Sequence, residues 1–304
     1  MAHGVQPQLT GSNTLGHGRE FTAEVWDGYD PQAMDRDPSL GFYDADDFIN
    51  PPNFPANTAI TATTAKYKAL TTNNTGAQIV GLAGQGGILS LEHAASSGDN
   101  DEAYLQAGRS HVLATADEDD TFPYHHVARV RFGVRWAASS VADNVNGMFL
   151  GLAGKALATG DLADDTAALV SAFHGIGIHI LQADGNAANV VYKEDGTTAV
   201  TVIAGAIVPV ADIWNTFEFD YNPFGPPDQL ITFWLNGVKS STYVTRAAWI
   251  ATATLGPVST DSVSIPMGAT FLHKAGSDAA GKTYLGGYRC WSELGKARGN
   301  EVCG

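Results

Sequence analysis

Cysteine is scarce, with only Cys290 and Cys303 in 304 residues. Two thiols cannot form the disulfide framework of a small secreted scaffold, and no histidine stands at zinc-site spacing from them. Two free thiols and no metal are expected. Long apolar runs are also missing: no uninterrupted stretch approaches the ~18 residues of a membrane-spanning helix. The opening "MAHGVQPQLTGSNTLGHGRE" lacks the basic start and apolar core of a secretory signal, so a soluble protein made in the cytoplasm is expected. Basic residues are few, 17 against 32 acidic, for a net charge of −15. That balance disfavours nucleic acid and anionic membranes, whose attraction depends on lysine and arginine. No serine lies in a GxSxG context, the nine histidines suggest no triad, and "GLAGQGGIL" has no phosphate-loop lysine.

Glycine is abundant, at 34 residues, with Ala, Thr and Val between turn-forming clusters. Short strand signals recur from about residue 60: "AKYKAL", "AQIVGL", "GGILSLE", then "EAYLQA" behind an acidic turn. In "VARVRFGVRWAA", Ala128, Val130, Phe132, Val134 and Trp136 share one face and Arg129, Arg131 and Arg135 the other, as a strand with one buried face requires. "ALATGDLADDTAALVSA" reads as a short helix or a loop excursion across the sheet. Further strands follow to "KTYLGGYRCWSEL". Among them "QLITFWLNGVKSSTYVT" is the clearest hairpin, with Asn236 and Gly237 placed for the positive φ angles of a type I′ turn. Its Trp234 reads as a framework residue. Many strands, Asp-Gly and Asn-Gly turns and almost no helix predict a sandwich of two antiparallel sheets.

Residues 1 to 60 differ, being rich in Asp and Pro yet retaining Trp26, Tyr29, Phe42, Tyr43, Phe48 and Phe54. Aromatics are what a disordered acidic tail lacks. The segment is expected to be an extended N-terminal arm ordered by contact, either on a partner or on its own domain, with residues 61–304 forming the sandwich.

The ordered series "DNDEAYLQ", "ARVRFGVR", "NGMFLGLAG", "ALATGDLADD", "HGIGIHI", "WNTFEFDYN", "WLNG" and "KTYLGGYRCW" resembles the concanavalin A-like (LamG-like) jelly rolls of tailed-bacteriophage virion structural proteins, over about residues 60 to 295. The resemblance implies a capsid decoration or cement protein on the capsid exterior. Its partner would be the major capsid protein, and it would assemble as a homo-oligomer, with a trimer favoured. Under that reading Trp26, Tyr29, Phe42, Tyr43, Phe48 and Phe54 of the arm, with Arg129, Arg131 and Arg135, are the candidate capsid or subunit contacts.

The same fold hosts lectins and glycosidases, so the residues must decide. "FEFDYN" sets Glu218 and Asp220 on one strand face, the alternation that retaining hydrolases of this fold use. Where those enzymes carry a further Glu, this chain has Asn222 and Pro223. Lacking that general acid, the chain is expected to be no enzyme, with no catalytic residue and no cofactor. A lectin-like, glycan-binding module is the alternative; "DNDE" at Asp99–Glu102 and "DGN" at Asp184–Asn186 show no calcium-ligand ladder and read as turns.

Overall fold

A computed structural model describes residues 21–27, 41–48, 60–63, 66–72, 78–82, 87–93, 102–108, 128–143, 145–154, 162–163, 167–169, 174–184, 187–193, 198–223, 225–226, 228–245, 247–248, 267–275 and 279–294. Two antiparallel sheets face one another. The first contains β1 (Gly41–Asp46), β4 (Gln78–Gly81), β5 (Leu89–His93), β7 (Ala128–Ala138), β12 (Asn215–Tyr221), β13 (Ile231–Leu235), β14 (Val238–Val244) and β16 (Gly281–Leu294). Its order is β14-β13-β12-β7-β16-β5-β4, with β1 also beside β16. The second contains β2 (Ile60–Thr63), β3 (Tyr67–Thr72), β6 (Glu102–Ala107), β8 (Asn146–Ala153), β9 (Gly175–Ile180), β10 (Ala188–Lys193), β11 (Val200–Ile207) and β15 (Gly268–Ala275). Its order is β11-β10-β9-β8-β15-β6-β3-β2.

Alternation creates the core between the sheets. Phe217, Phe219 and Tyr221 of β12, Val130, Phe132, Val134 and Trp136 of β7, and Ile231 and Phe233 of β13 all point inward. They meet Met148, Leu150 and Leu152 of β8, Ile176 and Ile178 of β9, and Phe271 of β15. The period of two that buries these residues sends Glu218, Asp220 and the β7 arginines to the opposite face. The hairpin between β13 and β14 turns through Asn236 (φ 54°) and Gly237 (φ 80°), as its sequence predicts. Asn236 reinforces the turn by accepting from the Thr216 amide at 2.9 Å and donating to Asn215 at 3.2 Å.

The excursion after β8 takes the bridged-loop form in its described part, where Ala163 pairs with Leu169. Leu162, Ala163 and Leu169 cover Leu70, Tyr104, Phe149 and Leu272 on the outer face of the second sheet. His179 lies under the same loop, donating to the Ala167 carbonyl at 2.6 Å.

The segment read as an arm contributes to the sandwich. β1 pairs with β16 from Gly41↔Glu293 to Asp46↔Tyr288. Phe48 joins the main core, its ring tilted against those of Tyr67 and Tyr288 at centroid distances of 6.5 and 6.1 Å. The sandwich therefore begins before residue 61, because "GFYD" is a short strand hidden in a Pro- and Asp-rich stretch. Cys290 is a free thiol in the core; Cys303, Tyr29 and Phe54 lie outside the described residues.

Candidate functional site

The outer face of the first sheet concentrates the chain's polar and aromatic chemistry. β12 supplies Glu218 and Asp220; β7 supplies Arg129, Arg131 and Arg135. β13 supplies Trp234, and β16 supplies Arg289, Trp291 and Glu293. Register places them side by side, with Glu218 opposite Trp234 on one flank and Gly133 on the other, and Asp220 opposite Arg131. Gly133 in turn faces Arg289, and Arg131 faces Trp291.

Residues 21–27 lie across this face. The Thr22 amide donates to both Glu218 oxygens at 3.0 and 3.1 Å, the Thr22 hydroxyl donates to Oε2 at 2.5 Å, and Trp26 Nε1 donates to Oε1 at 2.7 Å. Val25 and Trp26 pack with Trp234 and Trp291, and Phe21 and Tyr43 border the cluster. Arg289 sits 4.9 Å over the Phe21 ring and 5.9 Å over Trp26. Arg131 stacks at 4.2 Å on Trp291 and donates to the Asp27 carbonyl at 3.0 Å. Lys239 lies 5.1 Å over Trp234 and 3.6 Å from Glu24.

Gly133 makes this close approach possible. A Cβ there would stand 3.0 Å from Phe21 Cδ1 and Cε1 and from Trp26 Cζ2, tighter than ordinary contacts allow. The segment is therefore seated in a shaped depression.

Burial raises the Glu218 pKa, while the Thr22 and Trp26 hydrogen bonds oppose the rise by favouring the carboxylate. Asp220 accepts a two-pronged bond from Arg129, at 2.9 and 2.6 Å. Burial works against the Arg129 charge, but the bonds and charge of Asp220 outweigh it and hold its pKa up. Burial, with the neighbouring Arg129 charge, depresses Arg131 instead. Arg135 stacks 4.4 Å over Trp214. Both carboxylates of the alternating pair are thus occupied within the chain: Glu218 by the N-terminal segment, Asp220 by an arginine.

The residues assigned from sequence to capsid or subunit contacts fall in three places. Trp26, Arg131 and Arg135 are engaged inside the chain on this face, and Arg129 is paired with Asp220 at its border. Tyr43 borders the same cluster and Phe42 is in β1, while Phe48 is core. Arg289 and Trp291 were missed, although "YRCWSEL" alternates and could have placed them beside the β7 arginines. Thr22 carries no sequence signal.

No protein family and no curated protein matches the sequence. Solved structures do resemble the fold. One is from work on the endo-acting O-glycanases with which prominent members of the human gut microbiota initiate mucin breakdown. It is 11% identical, covers 82% of this chain and 98% of its own, and has a TM-score of 0.50. Peanut lectin is 11% identical over 84% of this chain and 98% of its own, TM-score 0.49. A β-glucanase of Bacillus licheniformis is 12% identical over 82% and 96%, TM-score 0.42. The chain is a concanavalin A-like jelly-roll sandwich, as its strand order predicts. The O-glycanase structure also corrects one expectation. Enzymes are built on this sandwich, so the expectation that this chain is no enzyme does not stand, and at such identity the likeness speaks to fold alone.

Proposed function

We propose that this chain is a structural protein of a tailed-phage virion, attached to the outside of the head as a decoration protein bound to the major capsid protein. The observation that carries the reading is the commitment of Glu218 to Thr22 and Trp26. The face on which this fold could hold a small ligand is closed by the chain's own segment, leaving edges and ends of the sandwich for contact. The resemblance of the ordered strand series to virion jelly rolls and the net charge of −15, which favours a partner with basic patches, support the same reading. The test is co-sedimentation of the full chain with heads assembled from the major capsid protein. Saturable binding at a fixed ratio is expected; heads that pellet without it overturn the proposal.

Glycan binding is the second reading, favoured by one observation. Trp234 Nε1 is buried beneath residues 21–27 without a hydrogen-bond partner among the described residues, beside Trp291 and Glu218. If the segment lifts, this face presents aromatic platforms and a carboxylate together. Glycan arrays probed with the full chain and with Gly133→Val, with and without calcium, test it; no saccharide bound by either retires it.

A further inference from the structure

Beneath the excursion that follows β8, the outer face of the second sheet buries an ion pair. Glu102 of β6 and Lys274 of β15 stand directly opposite each other in the ladder. Lys274 Nζ lies 2.6 Å from Glu102 Oε1, with the two side chains only 2% and 4% exposed. Lys66–Asp46 and Lys282–Glu92, by contrast, leave their lysines 39% and 38% exposed. Taking two charges out of water is costly, and attraction between them does not always repay it.

The surroundings are apolar and closed. Leu70, Phe149, Leu272 and the loop residues Leu162 and Ala163 pack around Tyr104 on the same face. On the other flank Lys274 faces Gly147, where a Cβ would collide with that of Ala167, so the loop presses down there as well. The second carboxyl oxygen is held by Tyr104, whose hydroxyl donates to Glu102 Oε2 at 2.6 Å. The direction of that bond follows from its neighbour, since the same hydroxyl oxygen accepts from the Leu162 amide at 3.3 Å. Glu102 is thus gripped at both oxygens, by an amino group at one and a hydrogen-bond donor at the other. Acyl transfer needs this arrangement: a nucleophile in contact with a carboxyl group whose remaining oxygen is polarised.

We propose that Lys274 and Glu102 condense into an amide, a covalent staple between β6 and β15. The Lys274 ammonium passes one proton to Oε1, which leaves a neutral amine against a carboxylic acid. Nζ then bonds to Cδ, the negative charge that develops on Oε2 is held by the Tyr104 hydroxyl, and a second proton moves from Nζ to Oε1. The Cδ–Oε1 bond breaks, one water leaves, and Oε2 remains as the amide carbonyl. Nothing is oxidised or reduced, and no co-reactant is needed. Contact between the reacting groups supplies the effective concentration, and the closed pocket keeps out the water that would reverse the step. The product removes two buried charges and ties together positions 172 apart in a chain whose Cys290 is a free thiol. The link goes beyond the proposed role and stands whatever the chain binds.

The test is the intact mass of the purified, denatured full chain, followed by proteolysis. A mass about 18 Da below that of the sequence, one water, is expected, with the β6 and β15 peptides recovered as one species joined through Glu102 and Lys274 and no tryptic cleavage after Lys274. Lys274→Met, which keeps the apolar stem without the amine, should restore the full mass. Freshly synthesised Tyr104→Phe should join about tenfold or more slowly than the parent, having lost the donor to Oε2. A parent chain at its full sequence mass overturns the proposal without recourse to any variant, and so does a deficit that Lys274→Met retains. An unchanged rate in Tyr104→Phe overturns the part given to Tyr104.

Discussion

Gly133→Val is the sharpest probe of the contact between residues 21–27 and the sandwich. The change adds side-chain atoms where a Cβ alone would stand 3.0 Å from the Phe21 and Trp26 rings, and it leaves the inward face of β7 untouched. Docking is finely balanced. Ordering the seven residues 21–27 costs about 1–2 kcal/mol each, or about 7–14 in all. Against this, hydrogen bonds to a charged group contribute about 1.5–3 kcal/mol apiece, and three donor groups reach Glu218. Burying Val25 and Trp26 adds about 1.5–3 kcal/mol each. The gain is thus about 8–15 kcal/mol, and the two totals nearly cancel. Overpacking costs about 1–3 kcal/mol, enough to tip the segment off. Hydrogen exchange read by mass spectrometry should show residues 21–27 losing protection by about tenfold or more in the variant, with β8, β9 and β15 unchanged. Equal protection of residues 21–27 in both proteins would refute the docking argument.

Three other outcomes follow from the buried chemistry. His93 Nδ1 and His273 Nε2 lie 2.7 Å apart; His93 Nε2 reaches the Ala279 carbonyl at 2.8 Å and His273 Nδ1 the Thr283 hydroxyl at 2.9 Å. Burial, then the nearby His93, pushes His273 well below its ordinary 6.5. The unfolded chain therefore binds more protons as pH falls below about 6.5, and stability drops there by up to about 1.4 kcal/mol per unit, with none lost from this source above neutrality. Melting temperatures at about pH 7.5 and about pH 5.5 should differ by a few degrees, and His273→Gln should flatten the difference; an undiminished slope in the variant contradicts the assignment. Burial raises the Cys290 thiol well above its ordinary range, so in a Cys303→Ser background a thiol reagent should react only after denaturant is added; rapid labelling of the native chain contradicts this. Gly151 faces Gly177 across β8 and β9, and a Cβ on Gly151 would stand 2.1 Å from the Ile176 carbonyl oxygen. Gly151→Ala should cost at least about 1–3 kcal/mol in denaturant unfolding, and an unchanged midpoint would show that the strands can part there freely.

Local chemistry made much of the sandwich legible in sequence. Alternation in β7 and β12 told which side chains enter the core, and Asn236-Gly237 told where the hairpin turns. The shared face of Glu218 and Asp220 was legible for the same reason. Their partners were not. Thr22 lies 196 positions from Glu218, and "FTAEVWD" has neither strand nor helix period, so nothing in it reveals where it docks. The strand "GFYD" was masked by its acidic, proline-rich surroundings, because its pairing depends on β16 near the other end of the chain. The Arg131 side chain, outward-facing in a strand-by-strand reading, is buried because residues 21–27 cross above it, and Trp26 is buried as the part of that segment which packs down on Trp234 and Trp291.

The proposed role is tested most directly by electron cryo-microscopy of heads assembled from the major capsid protein and saturated with the full chain. The account predicts sandwich-sized density repeated at fixed positions on the outer surface, with the first sheet's outer face still covered by residues 21–27. Bare heads at saturating concentration would contradict it.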